Sequence, residues 1–215
     1  MPQTWFTADT HFGHANIVKF CARPFLSAAE QEKAAVDPRG HWKVSRETIE
    51  QHDEALMQTI NSMVMPKDTL WILGDFCWGK EKEAAAYLAR IACENVHFVW
   101  GNHDHSSVGH LFKSNMQQGI IRVDGQLIWL NHYPMRSWDG RFHGSWHLYG
   151  HVHNRFEALD QDTPYMLTKD VGVDACNYQP ISFEQLAQYM QPRVAVFNEL
   201  RKKIMNGESV DGQID

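Results

Sequence analysis

Val96-His97-Phe98-Val99-Trp100-Gly101-Asn102-His103-Asp104 compresses the logic of this chain into one short run. Its first five residues are β-branched or aromatic, too few for a helix, and read as a buried strand. They run directly into a glycine, an amide, an imidazole and a carboxylate. Four other segments repeat the pattern. Trp5–Ala8 runs into Asp9-Thr10-His11, and Leu70–Leu73 into Gly74-Asp75. Leu127–Leu130 runs into Asn131-His132-Tyr133-Pro134, and Trp146–Tyr149 into Gly150-His151-Val152-His153. In open α/β sheets ligands bind beyond the carboxyl ends of strands, so five such ends imply one convergent site. Residues two apart in an extended chain project to the same side, which would let Asp9 and His11, or His151 and His153, aim at one point. A glycine ahead of a cluster permits a sharp turn or a close backbone approach.

The donors gathered this way are Asp9, His11, Asp75, Asn102, His132, His151 and His153. Nitrogen and oxygen without sulfur suit divalent Mn, Fe, Zn or Ni. They are too many for one tetrahedral zinc, which takes four ligands. Two ions sharing a carboxylate account for them, an arrangement that clamps in-line displacement at phosphorus. Taken singly, Gly-Asp or Asp-x-His is ordinary turn chemistry, and lone histidines such as His52, His97 and His110 read as surface or core residues. All five clusters together are not explained by turns.

Composition sets outer bounds. A chain of 215 residues, 43% hydrophobic and 12% aromatic, fits one globular domain. A formal net charge of -6 and the lack of lysine/arginine runs argue against an extended grip on nucleic acid. Cys21, Cys77, Cys93 and Cys176 are scattered, without a Cys-x-x-Cys pair, and read as reduced thiols of a cytoplasmic protein. Met1–Trp5 lacks the basic and apolar blocks of a signal peptide. No apolar run reaches the roughly 20 residues that span a bilayer, so no membrane partner is expected.

Elsewhere Thr168–Val173 and Ile120–Val123 are weaker strand candidates. Glu47–Val64 places Ile49, Leu56, Ile60 and Met63 on one helical face. Glu81–Cys93 is a second expected helix. Ser182–Tyr189 opens with a capping box, and a separate helix is expected from about Val194 to Met205. Ser27–Ser45, polar and centred on Pro38-Arg39-Gly40, reads as a long loop beside the substrate. The expected organisation is a single domain over 1–206, with 27–45 as a loop insertion and 207–215 as a polar tail. Early alternation of strands and helices predicts βαβ units.

As a set, Asp9-x-His11, Gly74-Asp75, Gly101-Asn102-His103-Asp104, His132 and Gly150-His151-x-His153 resemble the calcineurin-like metallophosphoesterases. Asp9-Thr10-His11-Phe12-Gly13-His14-Ala15-Asn16-Ile17, with Arg23-Pro24-Phe25, is similar to small bacterial and phage members. The resemblance implies an α/β fold, a two-sheet mixed β sandwich flanked by helices in four layers. It implies one ion held by Asp9, His11, Asp75 and His153, and another by Asp75, Asn102, His132 and His151. Hydrolysis would follow from hydroxide formed between the ions. His103 is then a general acid or charge stabiliser, oriented by Asp104. His14, Asn16 and Arg136 are candidate substrate contacts, with Arg23 and Arg155 as alternatives; Trp138, Trp146 and Tyr133 are candidate stacking or core residues. The expected substrate is a small phosphorylated molecule or nucleotide, cleaved as a phosphodiester or phosphomonoester. The competing readings are a nuclease, a protein phosphatase, and a non-catalytic metal-binding scaffold for a protein partner.

Overall fold

The apolar runs become nine strands among the described residues, which are 1–208 of the computed structural model. They are β1 (Thr4–Thr7), β2 (Thr69–Leu73), β3 (Asn95–Val99), β4 (Ser114–Met116), β5 (Gln118–Val123), β6 (Gln126–Asn131), β7 (Trp146–Tyr149), β8 (Thr168–Asp170) and β9 (Ile181–Ser182). Six helices accompany them: α1 (Ala15–Phe20), α2 (Ala28–Val36), α3 (Arg46–Met63), α4 (Glu81–Leu88), α5 (Glu157–Asp162) and α6 (Phe183–Met205). One sheet has the order β4-β3-β2-β1-β9, parallel except for β9; the other is β5-β6-β7-β8, with only the β5–β6 hairpin antiparallel. The result is two mixed sheets flanked by helices.

Period-two alternation builds both cores. Trp5, Leu70, Ile72, Val96 and Phe98 turn outward onto Leu56, Met57 and Ile60 of α3. Their neighbours Phe6, Trp71, Leu73 and Val99 turn inward onto Ile128, Leu130, Trp146 and Leu148 of the second sheet. Phe98 is fully buried, and truncating it to alanine would cost about 3–5 kcal/mol. The parallel register Trp5–Leu70–Val96 ends β1, β2 and β3 at one level, so their following loops meet. Past β8 the chain crosses between sheets: Val171 N–H donates to Tyr149 and Val173 N–H to Ala8.

Three expectations need correction. Ser27–Ser45 is not a structureless loop, because Ser27 and Glu30 form a capping box that starts α2. The segment lies over a small separate core of Ile17, Val18, Leu26 and Val44. The two C-terminal helices are one, α6, running through Pro192. An internal proline costs roughly 3 kcal/mol. Burial of Leu186 and Met190 before it and Phe197 after it offsets that cost, as does Arg193, whose guanidinium reaches the carbonyls of Asp160, Thr163 and Met166. Finally, α4 ends at Leu88, short of Cys93. The expected polar tail falls almost wholly outside the described residues. Among those described, no helix is long and apolar enough to cross a membrane.

Candidate metal centre

The loop after β1 lies alongside the loop after β2. Asp9 N–H donates to Gly74 (3.1 Å), His11 N–H to Asp75 (2.9 Å) and Phe12 N–H to Phe76 (3.0 Å). Likewise Gly150 N–H donates to the carbonyl of His132 at 2.9 Å, tying the β7 end to the β6 end. Inside these paired loops the backbone is unusual. Asp9, His11, Asp75, His151 and His153 all have positive φ, between 48° and 71°. Such left-handed non-glycine residues cost about 1–3 kcal/mol each and persist where surroundings over-determine them, commonly at functional sites. The convergence of Asp9 with His11 therefore comes from left-handed turns, not from the strand alternation expected of them; His151 and His153 share that backbone, but only His153 joins Asp9 and His11.

Glycine makes the approach possible at two points. A Cβ on Gly101 would collide with the Asp75 carboxylate, and one on Gly150 with Asp9 Oδ2. In their place Asp75 Oδ1 accepts the His103 N–H at 2.8 Å, and Asp9 Oδ2 accepts the His151 N–H at 2.9 Å.

Those bonds leave a specific set of atoms free. Asp9 Oδ1 and His11 Nε2 are buried without a hydrogen-bond partner, a condition costing about 1–3 kcal/mol per group unless something binds there. Asp9, His11 and His153 offer ligand atoms within 4.8 Å of one another, as do Asp9, Asp75 and His132. Asp75 Oδ2 stands between the two sets, 3.4 Å from His11 Nε2 and 3.5 Å from His132 Nε2. Asn102 Oδ1 lies 3.1 Å from His132 Nε2. His151 is further out and in neither trio, its ring 5.2 Å from that of His132. Buried, unpaired nitrogen and oxygen donors facing one another fit divalent cations.

Outer partners fix the imidazoles. His132 Nδ1 donates to the carbonyl of Leu73 at 2.8 Å, which leaves Nε2 as the ring atom that a cation would take. His153 Nδ1 meets Asp174 Oδ2 at 2.7 Å, and Asp174 is in turn clasped by Arg23 Nε and Nη2 at 2.9 and 2.7 Å.

Without cations this cluster holds protons. Burial and the nearby carboxylates Asp170 and Asp75 raise Asp9 to about 7 against the pull of His153 and His132. Burial disfavours the charged form of His132, but Asp75 and Asp9 overcome it and lift the imidazole to about 9. His153, likewise buried, is lifted to about 10, chiefly by Asp174. Burial depresses His11 to about 2, leaving it neutral.

The remaining expected site residues divide by location. His103 is exposed, its ring 5.5 Å from that of His11. Asp104 does not serve as its orienting carboxylate. Its oxygens accept the N–H groups of Asp75 (2.7 Å), Phe76 (3.0 Å) and Gly101 (2.8 Å), which makes it a brace between the β2 and β3 loops. His14 stacks on Trp78 at 4.3 Å, while Asn16 is exposed in the first turn of α1. Arg136 is exposed beside a cavity of about 100 Å³ lined with Met135, Tyr149 and Phe156 and by none of the candidate ligands. Arg23 is 1% exposed and bonds to the carbonyls of Asp9 and Thr10, so it buttresses the first loop from inside. Trp138 and Trp146 are buried.

Sequence reading missed Asp174, Cys21 and His147. Cys21 joins His153 and Asp174 within 4.8 Å. His147 accepts the Met135 N–H and so pins the loop after His132. Its only signal was a polar residue inside the apolar run Trp146–Tyr149. Nothing local marked Asp174 or Cys21.

Fold and site together define a metal-binding α/β sandwich whose donors come from strand-end loops. The family model described as calcineurin-like phosphoesterase matches residues 2–185, and the chain belongs to that family. Among its relatives, the uncharacterized protein MJ1445 of Methanocaldococcus jannaschii is 28% identical over 193 residues, covering 89% of this chain and 93% of that one. The Gene 66 protein of Mycobacterium phage L5 is 31% identical over 106 residues, 48% of this chain and 41% of its own length. In three dimensions the chain is similar to the protein of unknown function AQ665 from Aquifex aeolicus, with a TM-score of 0.61 at 22% identity over 87% of this chain and 99% of that one. Membership implies metal-dependent phosphoester hydrolysis.

Proposed function

We propose that the protein is a dinuclear metal-dependent phosphoesterase of the cytoplasm, acting on a small phosphorylated or nucleotide substrate and favouring diesters. The observation that carries this reading is Asp75 Oδ2 poised between His11 and His132 beside the unpartnered Asp9 Oδ1. Asp9, His11, Asp75 and His153 would hold one ion, and Asp75, Asn102, His132 and His151 the other. Divalent ions there supply a lowered water pKa and positive charge for the phosphoryl oxygens.

The chain's own groups do the rest. Leu73 and Asp174 fix the ring nitrogens that His132 and His153 present. Asp75 holds the His103 backbone, and the exposed imidazole can then offer a proton to the departing oxygen. Asp104 keeps that loop in register through its three N–H bonds. The test is hydrolysis of bis-(p-nitrophenyl) phosphate against p-nitrophenyl phosphate by metal-stripped protein resupplied with Mn²⁺, Ni²⁺, Zn²⁺ or Mg²⁺. Metal-dependent cleavage, faster on the diester, is expected. No cleavage with any ion, in protein that binds two, would sink the proposal.

A further inference from the structure

Seven of the eight tryptophans are buried or half-buried; Trp78 alone is exposed, at 53%. It stands three residues beyond Asp75, and its backbone is not free. Trp78 N–H donates to Phe12 at 2.8 Å, Cys77 pairs with Phe12 in a β-bridge, and the preceding Phe76 and Cys77 are buried. Its indole lies nearly parallel to the His14 ring, 4.3 Å away at 11°, and 6.1 Å from the His103 ring. Both histidines stand against the buried His11, at 5.4 and 5.5 Å. A wall of rings thus leads from the donor cluster to solvent and ends in the indole of a residue whose backbone is tied to Phe12. A half-uncovered indole beside the donor cluster offers a π face on which a nucleobase can stack.

We infer that Trp78, backed by His14, is the platform on which the base of a nucleotide substrate stacks while its phosphate faces the donor cluster. The inference rests on the phosphoesterase reading for the placement of the phosphate. It explains why the loop after β2 carries an exposed large aromatic side chain on the same side as His103. The departing group of a phosphoester would emerge there, so the identity of that group is what Trp78 can select.

Calorimetric titration of the Mn²⁺-loaded protein with adenosine 5′-monophosphate and with ribose 5-phosphate isolates the base. Base–aromatic stacking predicts about 5- to 150-fold tighter binding of the nucleotide. Trp78→Ala should bring the ratio to near one, and Trp78→Phe should retain most of it, with Mn²⁺ content equal in all three proteins. A wild-type ratio of one, no binding of either phosphate, or a ratio that survives Trp78→Ala overturns the inference. Hydrolysis is scored separately. A preserved ratio in a protein that cleaves no ester would remove the phosphoesterase reading and leave the stacking platform standing. Cleavage with a ratio of one would do the reverse.

Discussion

The inner and outer halves of the site are built on opposite plans. Asp9, His11, Asp75 and His132 are at most 2% exposed, and three of the four sit in left-handed backbone locked by paired loops. His103, Asn102 and Trp78 stand exposed on the rim. The inner half is over-determined: its carboxylates accept backbone N–H groups with one oxygen and offer the other inward. The difference teaches that holding cations needs a rigid, dry set of donors. Meeting a substrate needs reach instead. Asp75→Asn attacks the inner half at its centre, removing charge between His11 and His132. Activity is expected to fall to background, with ion loss visible by elemental analysis. Full activity with both ions kept would break the distinction between the halves.

His103→Ala probes the rim instead. Turnover on a substrate with a poor leaving group should drop about 10²–10⁴-fold, the usual contribution of a general acid. Metal content should stay intact, since His103 offers the inner set only its backbone N–H. Loss of metal on this substitution would mean that the two halves are one unit.

A smaller effect is expected from Asp174→Asn, which acts one bond away from the donors. Asp174 ties His153 to Arg23, and its carboxyl is held at about 2, burial being outweighed by His153 and Arg23. Removing the charge should weaken metal binding about 10–100-fold, as for other outer partners of metal-bound histidines. Titration of the stripped protein with Mn²⁺ measures it. An unchanged affinity would confine the inner half to its ligands alone.

The inner half was also the legible half. Asp9, His11, Asp75 and His132 each stand at or just past the end of an apolar run, which is what marks them in the sequence. What failed was the physical cause. Left-handed backbone at Asp9 and His11 is not marked in the sequence: aspartate and histidine enter it more readily than most residues but still sparsely, and here the paired loops select it. Asp104 was misread for a related reason: a carboxylate beside a histidine suggests a pair, whereas three N–H groups from two other loops claim it. Asp174 and Arg23 meet across 151 residues of chain, and Trp78 is one aromatic among many until its exposure is known. Pro192 signalled a break that buried contacts on both sides override.

The gentlest test lies away from both halves, in the 27–45 segment. Glu30 is 4% exposed and accepts from Ser27 N–H and Oγ, Ser45 N–H and Thr48 Oγ, pinning α2 to the start of α3. Burial alone would raise its pKa, but these hydrogen bonds outweigh it and hold the carboxyl at about 2 against an ordinary 4.5. A folded pKa below the unfolded one stabilises the native state above the unfolded value. That contribution is lost as pH falls through the folded value, so the window runs from about 4.5 down to about 2. Glu30→Gln should therefore lower stability to urea at pH 7 by about 1–3 kcal/mol. The gap to wild type should narrow steadily below pH 4.5, and the mutant–wild-type difference cancels the titration of every other group. Bis-(p-nitrophenyl) phosphate hydrolysis at pH 7 should be untouched, because no Glu30 hydrogen bond reaches a candidate ligand. If hydrolysis falls with stability, the segment supports the rim through α1, whose first turn adjoins His14, and the outer half extends further into the fold than its ring contacts indicate.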